Sequence, residues 1–368
     1  MKHIGMQIHI TNRCGFHCKH CYIDEDKIDL PISVIQKIIK EIQETTEFYV
    51  PAINITGGDP LLHENWIEIV QAFRKSKIEV NILGTPKTIN DETLKDLLHL
   101  GIRRFQISLD GMQEKHDNIR GKGSFKEAIE ALKLLCMYGL WPYVMFTVND
   151  YNKDDFPLLI DYLDKLKLPI VLGFDFCVPI GKAKENHLSF NPQYIKDFIN
   201  EYIRKKQNLI LIKSQLVLSE KSHFICAHKY RENKQTTHAK STYSIISGCG
   251  AGWRNLCITE NGDIFPCRRL PIRIGSVSES NIFDLFMNSP QMKKLRNRQS
   301  YGICDSCAKY AFCRGCPALV YGKTNSLLRE NCQYYQIETS AKNYDGIEDM
   351  FQNHLTTKHN LFNEQMLM

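Results

Sequence analysis

The chain has 368 residues, of which 43% are hydrophobic and 24% are charged. This composition is typical of a soluble globular protein and excludes collagen-like, low-complexity and disordered chains. The length suggests two domains, or one large domain with an appendage. The 47 basic and 41 acidic residues give a formal net charge of +6. Because the basic residues form only short local runs, we predict no nucleic-acid partner.

The sequence predicts a cytoplasmic protein that does not associate with a membrane. No apolar run approaches the roughly 18 residues that a membrane helix needs. The N-terminus also lacks the continuous apolar stretch and cleavage site of a signal peptide. Since disulfides are rare in a reducing compartment, the fourteen cysteines are expected to bind metal or to perform redox chemistry.

Short β-branched runs alternate with amphipathic helical patterns over the first half of the chain. Six strand-and-helix units in a row predict a parallel sheet with right-handed crossovers. Because the alternation stops after Gly181, we expect an α/β fold built on a partial (β/α)6 TIM-like barrel. The predicted strands are residues 6–11, 52–56, 78–83, 103–109, 142–148 and 169–176.

The second half of the chain lacks this alternation. Residues 191–207 are typical of a helix and residues 233–247 of a polar linker. Residues 249–332 show weak periodicity and contain eight cysteines, so this region needs metals or cross-links to hold it together. We predict a barrel over residues 1–185, a helical bridge over 186–248, a cysteine-rich domain over 249–335 and a helical tail over 336–368.

Three cysteines, Cys14, Cys18 and Cys21, lie within eight residues directly after the first predicted strand. Three thiolates on one short loop can bind a single soft metal centre. A zinc site completed by His17 or His20 is one interpretation. The spacing C-x3-C-x2-C instead resembles that of the radical S-adenosylmethionine (SAM) enzymes. That resemblance implies a [4Fe-4S] cluster with one open iron, which the amine and carboxylate of SAM chelate.

Two further segments support the resemblance to the radical SAM enzymes. The Gly-Gly-Asp-Pro segment after the second strand resembles the family's Gly-Gly-Glu-Pro motif, which binds the SAM amino group; bare glycines allow close backbone approach. A Ser-Leu-Asp-Gly segment follows the fourth strand, and Thr85-Pro86-Lys87 stands where the family often has Thr-Asn-Gly. Both matching segments follow strand ends, where active sites of parallel barrels form. The SAM-binding residues that the resemblance implies are His20, Gly57, Gly58, Asp59, Pro60, Ser108 and Arg120.

The remaining motif is the cysteine series of the second half. A pair of zinc knuckles is one interpretation, since eight cysteines can bind two zinc ions. The order of the Cys and Gly residues in this series instead resembles that of the SPASM domain. The last C-x-x-C pair departs from the SPASM pattern, because its two cysteines are one residue closer together than usual. The resemblance implies two fully ligated auxiliary [4Fe-4S] clusters, which favour electron transfer. The implied ligands are Cys249, Cys257, Cys267 and Cys316 for one cluster, and Cys304, Cys307, Cys313 and Cys332 for the other.

The combined resemblance covers about residues 6–332 and implies a radical SAM enzyme with a SPASM domain. Such an enzyme cleaves SAM reductively to a 5'-deoxyadenosyl radical, which abstracts hydrogen from an unactivated carbon, while the protein positions that carbon. We expect a ribosomally made peptide as substrate, matured by a crosslink or another oxidative change. A flavodoxin or ferredoxin would supply electrons. Because the barrel begins near residue 6, the leader would be recognised by a separate protein or by the barrel mouth and residues 191–247.

Alternative functions remain open at this stage. Anaerobic sulfatase-maturing enzymes carry Asp after the Cys that corresponds to Cys267, whereas this chain has Arg268. Small-molecule or tetrapyrrole chemistry is a third possibility, and a zinc-binding adaptor is the non-enzymatic one. A brown protein would contain iron-sulfur clusters, and a colourless one zinc. Asp175 and Tyr143 are candidate catalytic residues from strand position only.

Overall fold

The strands and helices are described in a computed structural model for residues 1–23, 26–219, 248–307, 310 and 313–330. No helix in this part of the chain combines the length and apolar character needed to cross a membrane. The strands are β1 Lys2–His3, β2 Gly5–Thr11, β3 Phe48–Tyr49, β4 Ala52–Gly57, β5 Glu79–Leu83, β6 Arg104–Ser108, β7 Trp141–Val148, β8 Val171–Phe176, β9 Val217–Leu218, β10 Asn255–Ile258, β11 Asp263–Phe265 and β12 Gly275–Ser276. The α-helices are α1 Ile32–Glu44, α2 Trp66–Lys75, α3 Asp91–His99, α4 Gln113–Arg120, α5 Ser124–Met137, α6 Asp155–Lys165, α7 Lys182–Glu185, α8 Ile195–Leu211, α9 Ile282–Asn288, α10 Pro290–Arg296 and α11 Pro317–Thr324.

The main sheet has the strand order β12-β11-β10-β2-β4-β5-β6-β7-β8-β9 in the described residues. All neighbouring strands from β10 across the sheet to β9 are parallel. Strand β11 runs antiparallel to β10, and β12 runs antiparallel to β11. The six central strands, β2 and β4 to β8, lie where the sequence predicted them, which confirms the α/β fold. The described end strands β12 and β9 do not pair with each other, so the sheet stays open.

The two faces of the sheet differ in polarity. In β4, Ile53 and Ile55 are fully buried in the apolar core beside the helices. Because successive side chains of a strand point to opposite faces, Asn54 lies on the inner face, where it accepts a hydrogen bond from Asn81 at 3.1 Å. Gln7 of β2 lines the same inner cavity as Asn54. Polar side chains are thus available inside the barrel.

Both edges of the predicted barrel are extended by strands from later in the chain. Strand β10, which contains Cys257, pairs in parallel with β2 and places Asn255 opposite Gly5. Strand β9 pairs with β8, so part of the predicted bridge belongs to the sheet. Neither strand was predicted, because segments of four and two residues show no periodicity and form only through their partners.

The cysteine-rich region also packs on helix α1 of the barrel. The Glu41 carboxylate is buried and accepts a hydrogen bond from the Ile282 backbone N–H at 2.6 Å. Phe48 stacks on Phe283 of α9 with 5.1 Å between the ring centroids. Buried polar and aromatic contacts therefore join the two regions at this junction.

We expect the variant Glu41→Ala to unfold more easily than the parent protein. Removal of the carboxylate leaves the buried Ile282 N–H without its acceptor, which costs about 1–3 kcal/mol. The free energy of unfolding in urea measures the effect. Glu44→Ala on the same helix is the control, since Glu44 is exposed and forms an ion pair with Lys40 at the surface. Equal losses in the two variants would contradict a role for the Glu41 contact.

Candidate functional site

The three-cysteine loop is held against the end of β4 by two backbone hydrogen bonds. Gly58 N–H donates to Thr11 O at 2.9 Å, and Asp59 N–H donates to Arg13 O at 2.7 Å. Gly57 has a φ of +136°, and a Cβ on Gly58 would lie 2.2 Å from Arg13 O. The paired glycines therefore let the loop approach closely. This contact orients the segment that carries Cys14, Cys18 and Cys21.

Asp59 is a buried carboxylate whose oxygens bind hydroxyl groups of the next loop. Thr85 Oγ1 and Thr88 Oγ1 donate to Asp59 Oδ2 at 2.5 and 2.9 Å. Burial raises the pKa of Asp59, and these hydrogen bonds oppose the increase. Thr85 was left without a role by the sequence, because its segment departs from the family pattern. It is a supporting residue of the Gly-Gly-Asp-Pro segment that begins at Gly57.

Lys87 also contacts the three-cysteine loop, and sequence reasoning missed it. Its Nζ donates to Gly15 O at 2.5 Å and lies 4.5 Å from the centroid of the Phe16 ring. The contacts of a cation with a carbonyl oxygen and with an aromatic face are both favourable. The segment after the third barrel strand thus packs on the loop with a lysine ammonium group.

A fully buried carboxylate, Asp110, joins three elements of the site. Its Oδ2 accepts from Arg120 Nε at 2.5 Å and contacts His20 Nε2 at 2.7 Å. Its Oδ1 accepts from Thr147 N–H at 2.7 Å. Burial raises the pKa of Asp110, but the charges of Arg120 and His20 outweigh burial and hold it below its usual range. Asp110 was not predicted as a site residue, although it stands within the Ser-Leu-Asp-Gly segment.

Arg120 also contacts the cysteine loop and shares a small cavity with Ser108. Its Nη1 lies 3.7 Å from Cys18 Sγ. Ser108 and Arg120, which were both predicted to bind SAM, line one small cavity of about 20 Å³ together with Phe16. The structure therefore brings these side chains together, beside the loop that would hold the first cluster.

The four cysteines predicted for one auxiliary cluster line a single cavity of about 410 Å³. Burial raises the pKa of Cys249, Cys257 and Cys316, that of Cys316 to about 12, and the Arg269 charge opposes the increase at Cys249 and Cys316. No three His, Cys, Asp or Glu side chains of the described residues converge closely enough to hold a single metal ion. A cavity of this size lined by four thiols offers the donor set and the room that an iron-sulfur cubane needs. The four residues are Cys249, Cys257, Cys267 and Cys316.

The candidate catalytic residues lie at different heights in the barrel. Asp175 stands near the carboxyl end of β8, lines the four-thiol cavity and forms an ion pair with Arg269. Tyr143 is the third residue of β7 and therefore lies toward the opposite strand ends. A Cβ on Gly173 would come within 2.4 Å of Tyr143 Oη, so that glycine leaves room for the phenol. A catalytic role for either residue stays a prediction.

Three of the four cysteines predicted for the second auxiliary cluster lie in the described residues. Cys307 N–H donates to Cys304 O at 3.2 Å. Arg329 Nη1 lies 3.2 Å from Cys304 Sγ and donates to Arg314 O, next to Cys313, at 2.7 Å. Cys332 lies outside the described residues, so the set is not complete in the structure.

Sequence comparisons match both regions of the chain to known families. Residues 8–163 match the Radical SAM superfamily. Residues 249–317 match the SPASM family, an iron-sulfur cluster-binding domain. The first match contains the three-cysteine loop and the Asp110 contacts, and the second contains all four cysteines of the 410 Å³ cavity.

Individual relatives differ in function. The AdoMet-dependent heme synthase of Methanosarcina barkeri is 23% identical over 331 residues, covering 87% of this chain and 93% of that protein. The mycofactocin maturase MftC of Mycobacterium ulcerans is 28% identical over 322 residues, covering 83% of this chain and 80% of its own. The crystal structure of Streptococcus suis SuiB bound to precursor peptide SuiA has a TM-score of 0.70 at 17% identity, covering 92% and 75% of the two chains. This last likeness shows the fold.

We expect Asp110→Asn to destabilise the protein strongly, because it leaves the Arg120 guanidinium largely buried without a counter-charge. Breaking a buried pair in this way costs about 3–5 kcal/mol. The free energy of unfolding in urea, measured without oxygen, checks this. Asp154→Asn is the control, since its ion pair with Lys153 is at the surface and such pairs contribute at most about 1 kcal/mol.

Adding Arg120→Gln to Asp110→Asn should restore part of the lost stability, since the unpaired charge is then removed. A double variant less stable than Asp110→Asn would contradict the ion-pair explanation.

Proposed function

Because the chain belongs to the radical SAM superfamily and carries a SPASM domain, we propose that it uses a 5'-deoxyadenosyl radical to mature a ribosomally made peptide. The observation that carries this proposal is the cavity shared by four cysteines and by Gln7 and Asn54 of the barrel's inner face. An iron-sulfur centre in that cavity would adjoin the space where a substrate carbon is held. The proposed product is a crosslink or another oxidative change.

The three-cysteine loop is the proposed site of the first [4Fe-4S] cluster, held by Cys14, Cys18 and Cys21. A cluster bound there would supply the electron that cleaves SAM into methionine and the 5'-deoxyadenosyl radical. Ser108 and Arg120 would bind the SAM carboxylate, with Asp110 orienting the guanidinium. His20 and the Gly57–Pro60 segment would bind the rest of SAM.

Two auxiliary [4Fe-4S] clusters complete the proposed set of three. The four-thiol cavity would hold one of them, and Cys304, Cys307, Cys313 and Cys332 would hold the other. With all irons ligated by cysteine, their chemistry is electron transfer. Arg269 keeps Asp175 in an ion pair, which favours a structural role for that carboxylate over proton transfer.

The similarity to the mycofactocin maturase over 83% of this chain supports a peptide substrate, as does the likeness to SuiB bound to its precursor peptide. Tetrapyrrole chemistry is the second candidate, because the match to a heme synthase covers 87% of the chain. A sulfatase-maturing function is disfavoured, since Arg268 lines the cavity where those enzymes have a carboxylate.

The proposal includes partners of two kinds in the cytoplasm. A flavodoxin or ferredoxin would supply the electron for SAM cleavage. A separate leader-binding protein, or the barrel mouth itself, would hold the peptide. Equal affinity of the isolated enzyme for full-length and leaderless peptides would argue against leader recognition by this chain.

Anaerobically purified protein should contain about twelve irons per chain, four for each cluster. Replacing Cys14, Cys18 and Cys21 together by Ala should remove about four irons and abolish reductive SAM cleavage. Iron analysis and detection of 5'-deoxyadenosine measure the two effects. Cys136→Ala, which changes a cysteine of α5 outside all three sets, is the control. A triple variant that still makes 5'-deoxyadenosine would overturn the assignment.

The substrate is tested by mass spectrometry after incubation with SAM and dithionite. Short peptides encoded beside the gene form one arm, and an iron porphyrin with carboxylate side chains forms the other. We expect a peptide to lose hydrogen, by about 2 Da for each new crosslink. Modification of the porphyrin alone would favour the second candidate.

A further inference from the structure

The four-thiol cavity contains more positive than negative side chains. Arg254, Arg268 and Arg269 line it, and Asp175 is the one carboxylate among its described lining residues. Since Arg254 is exposed to solvent, the two other guanidinium groups against one carboxylate leave one positive charge inside the cavity. Such an excess in a partly enclosed space is costly unless an anionic group is bound there.

Each guanidinium is held in place by a contact of its own. Arg269 forms the ion pair with Asp175, and its Nη1 donates to Phe176 O at 2.8 Å. Arg268 Nη1 donates to the neutral Gln7 Oε1 at 3.0 Å. Arg254 Nη2 donates to the backbone oxygen of Gly248 at 3.4 Å. Arg268 is therefore held by a neutral group that leaves its charge in the cavity, whereas Arg254 is exposed and adds its charge at the solvent side.

Two of these charges lie within electrostatic range of the thiols. The positive charge of Arg268 favours the thiolate form of Cys257, and that of Arg269 favours the thiolate forms of Cys249 and Cys316. Glu260 also acts on Cys257, but its carboxylate faces His9, with 3.7 Å between His9 Nδ1 and Glu260 Oε2. The cationic side chains thus outnumber the anionic ones around the proposed centre.

A cubane held by four thiolates has a net charge of about −2, which becomes more negative on reduction. Fixed positive charges in a medium of low dielectric constant stabilise the reduced form more than the oxidised form. We infer that Arg268, with a smaller contribution from the exposed Arg254, raises the reduction potential of the centre in this cavity and so makes it a better electron acceptor. This inference rests on the proposed ligation of a cluster by the four thiols.

The test measures reduction potentials by following the cluster signal in electron paramagnetic resonance while the solution potential is varied. The parent is the full chain with Cys14, Cys18 and Cys21 replaced by Ala, which keeps only the auxiliary centres. We expect Arg268→Gln to shift one of the auxiliary potentials to a more negative value. Arg268→Lys should retain most of the parent potential because the positive charge remains.

Arg273→Gln is the matched control, since Arg273 lies in the same region but pairs with Asp263 and Glu279 at the surface. Arg254→Gln should shift the same potential in the same direction by a smaller amount, because Arg254 is exposed to solvent, and it tests the inference if Arg268→Gln fails to bind iron. Unchanged potentials in the iron-containing variants would overturn the inference. The parent cannot cleave SAM, so this result is independent of the test for radical formation.

Discussion

Backbone pairing along both edges of β2 is the interaction on which both candidate sites depend. On one edge β2 pairs with β4, whose last residue, Gly57, leads into the contact that holds the three-cysteine loop. On the other edge it pairs with β10, which carries Cys257 into the four-thiol cavity. A single seven-residue strand therefore connects the proposed site of radical formation with the proposed auxiliary centre.

Two buried aspartate carboxylates lie beside the three-cysteine loop, and their surroundings shift their pKa values in opposite directions. Asp59 is held by neutral hydroxyl groups, and burial raises its pKa. Asp110 is held by Arg120 and His20, and their charges lower its pKa. An ionised Asp110 balances the guanidinium that would meet the SAM carboxylate.

Sequence reasoning was most successful where a pattern is local. The six central strands alternate with helices, and the periodicity and length of their apolar runs were enough to place them. The grouping of Cys249 and Cys316 came from a family resemblance, and the structure places both in one cavity; their role as ligands stays a prediction. Strand β10, the Asp110 contacts and the arginines of the cavity could not be predicted, because they depend on residues far apart in the sequence.

The pairing of Gly5 with Asn255 also has a consequence for how the chain acquires its structure during synthesis. About 250 residues separate the two partners, so the outer edge of β2 has no permanent neighbour until most of the polypeptide has left the ribosome. An unpaired edge of this kind readily joins strands of other chains. We expect expression at low temperature or with chaperones to increase the yield of soluble protein, and truncation before residue 255 to cause aggregation.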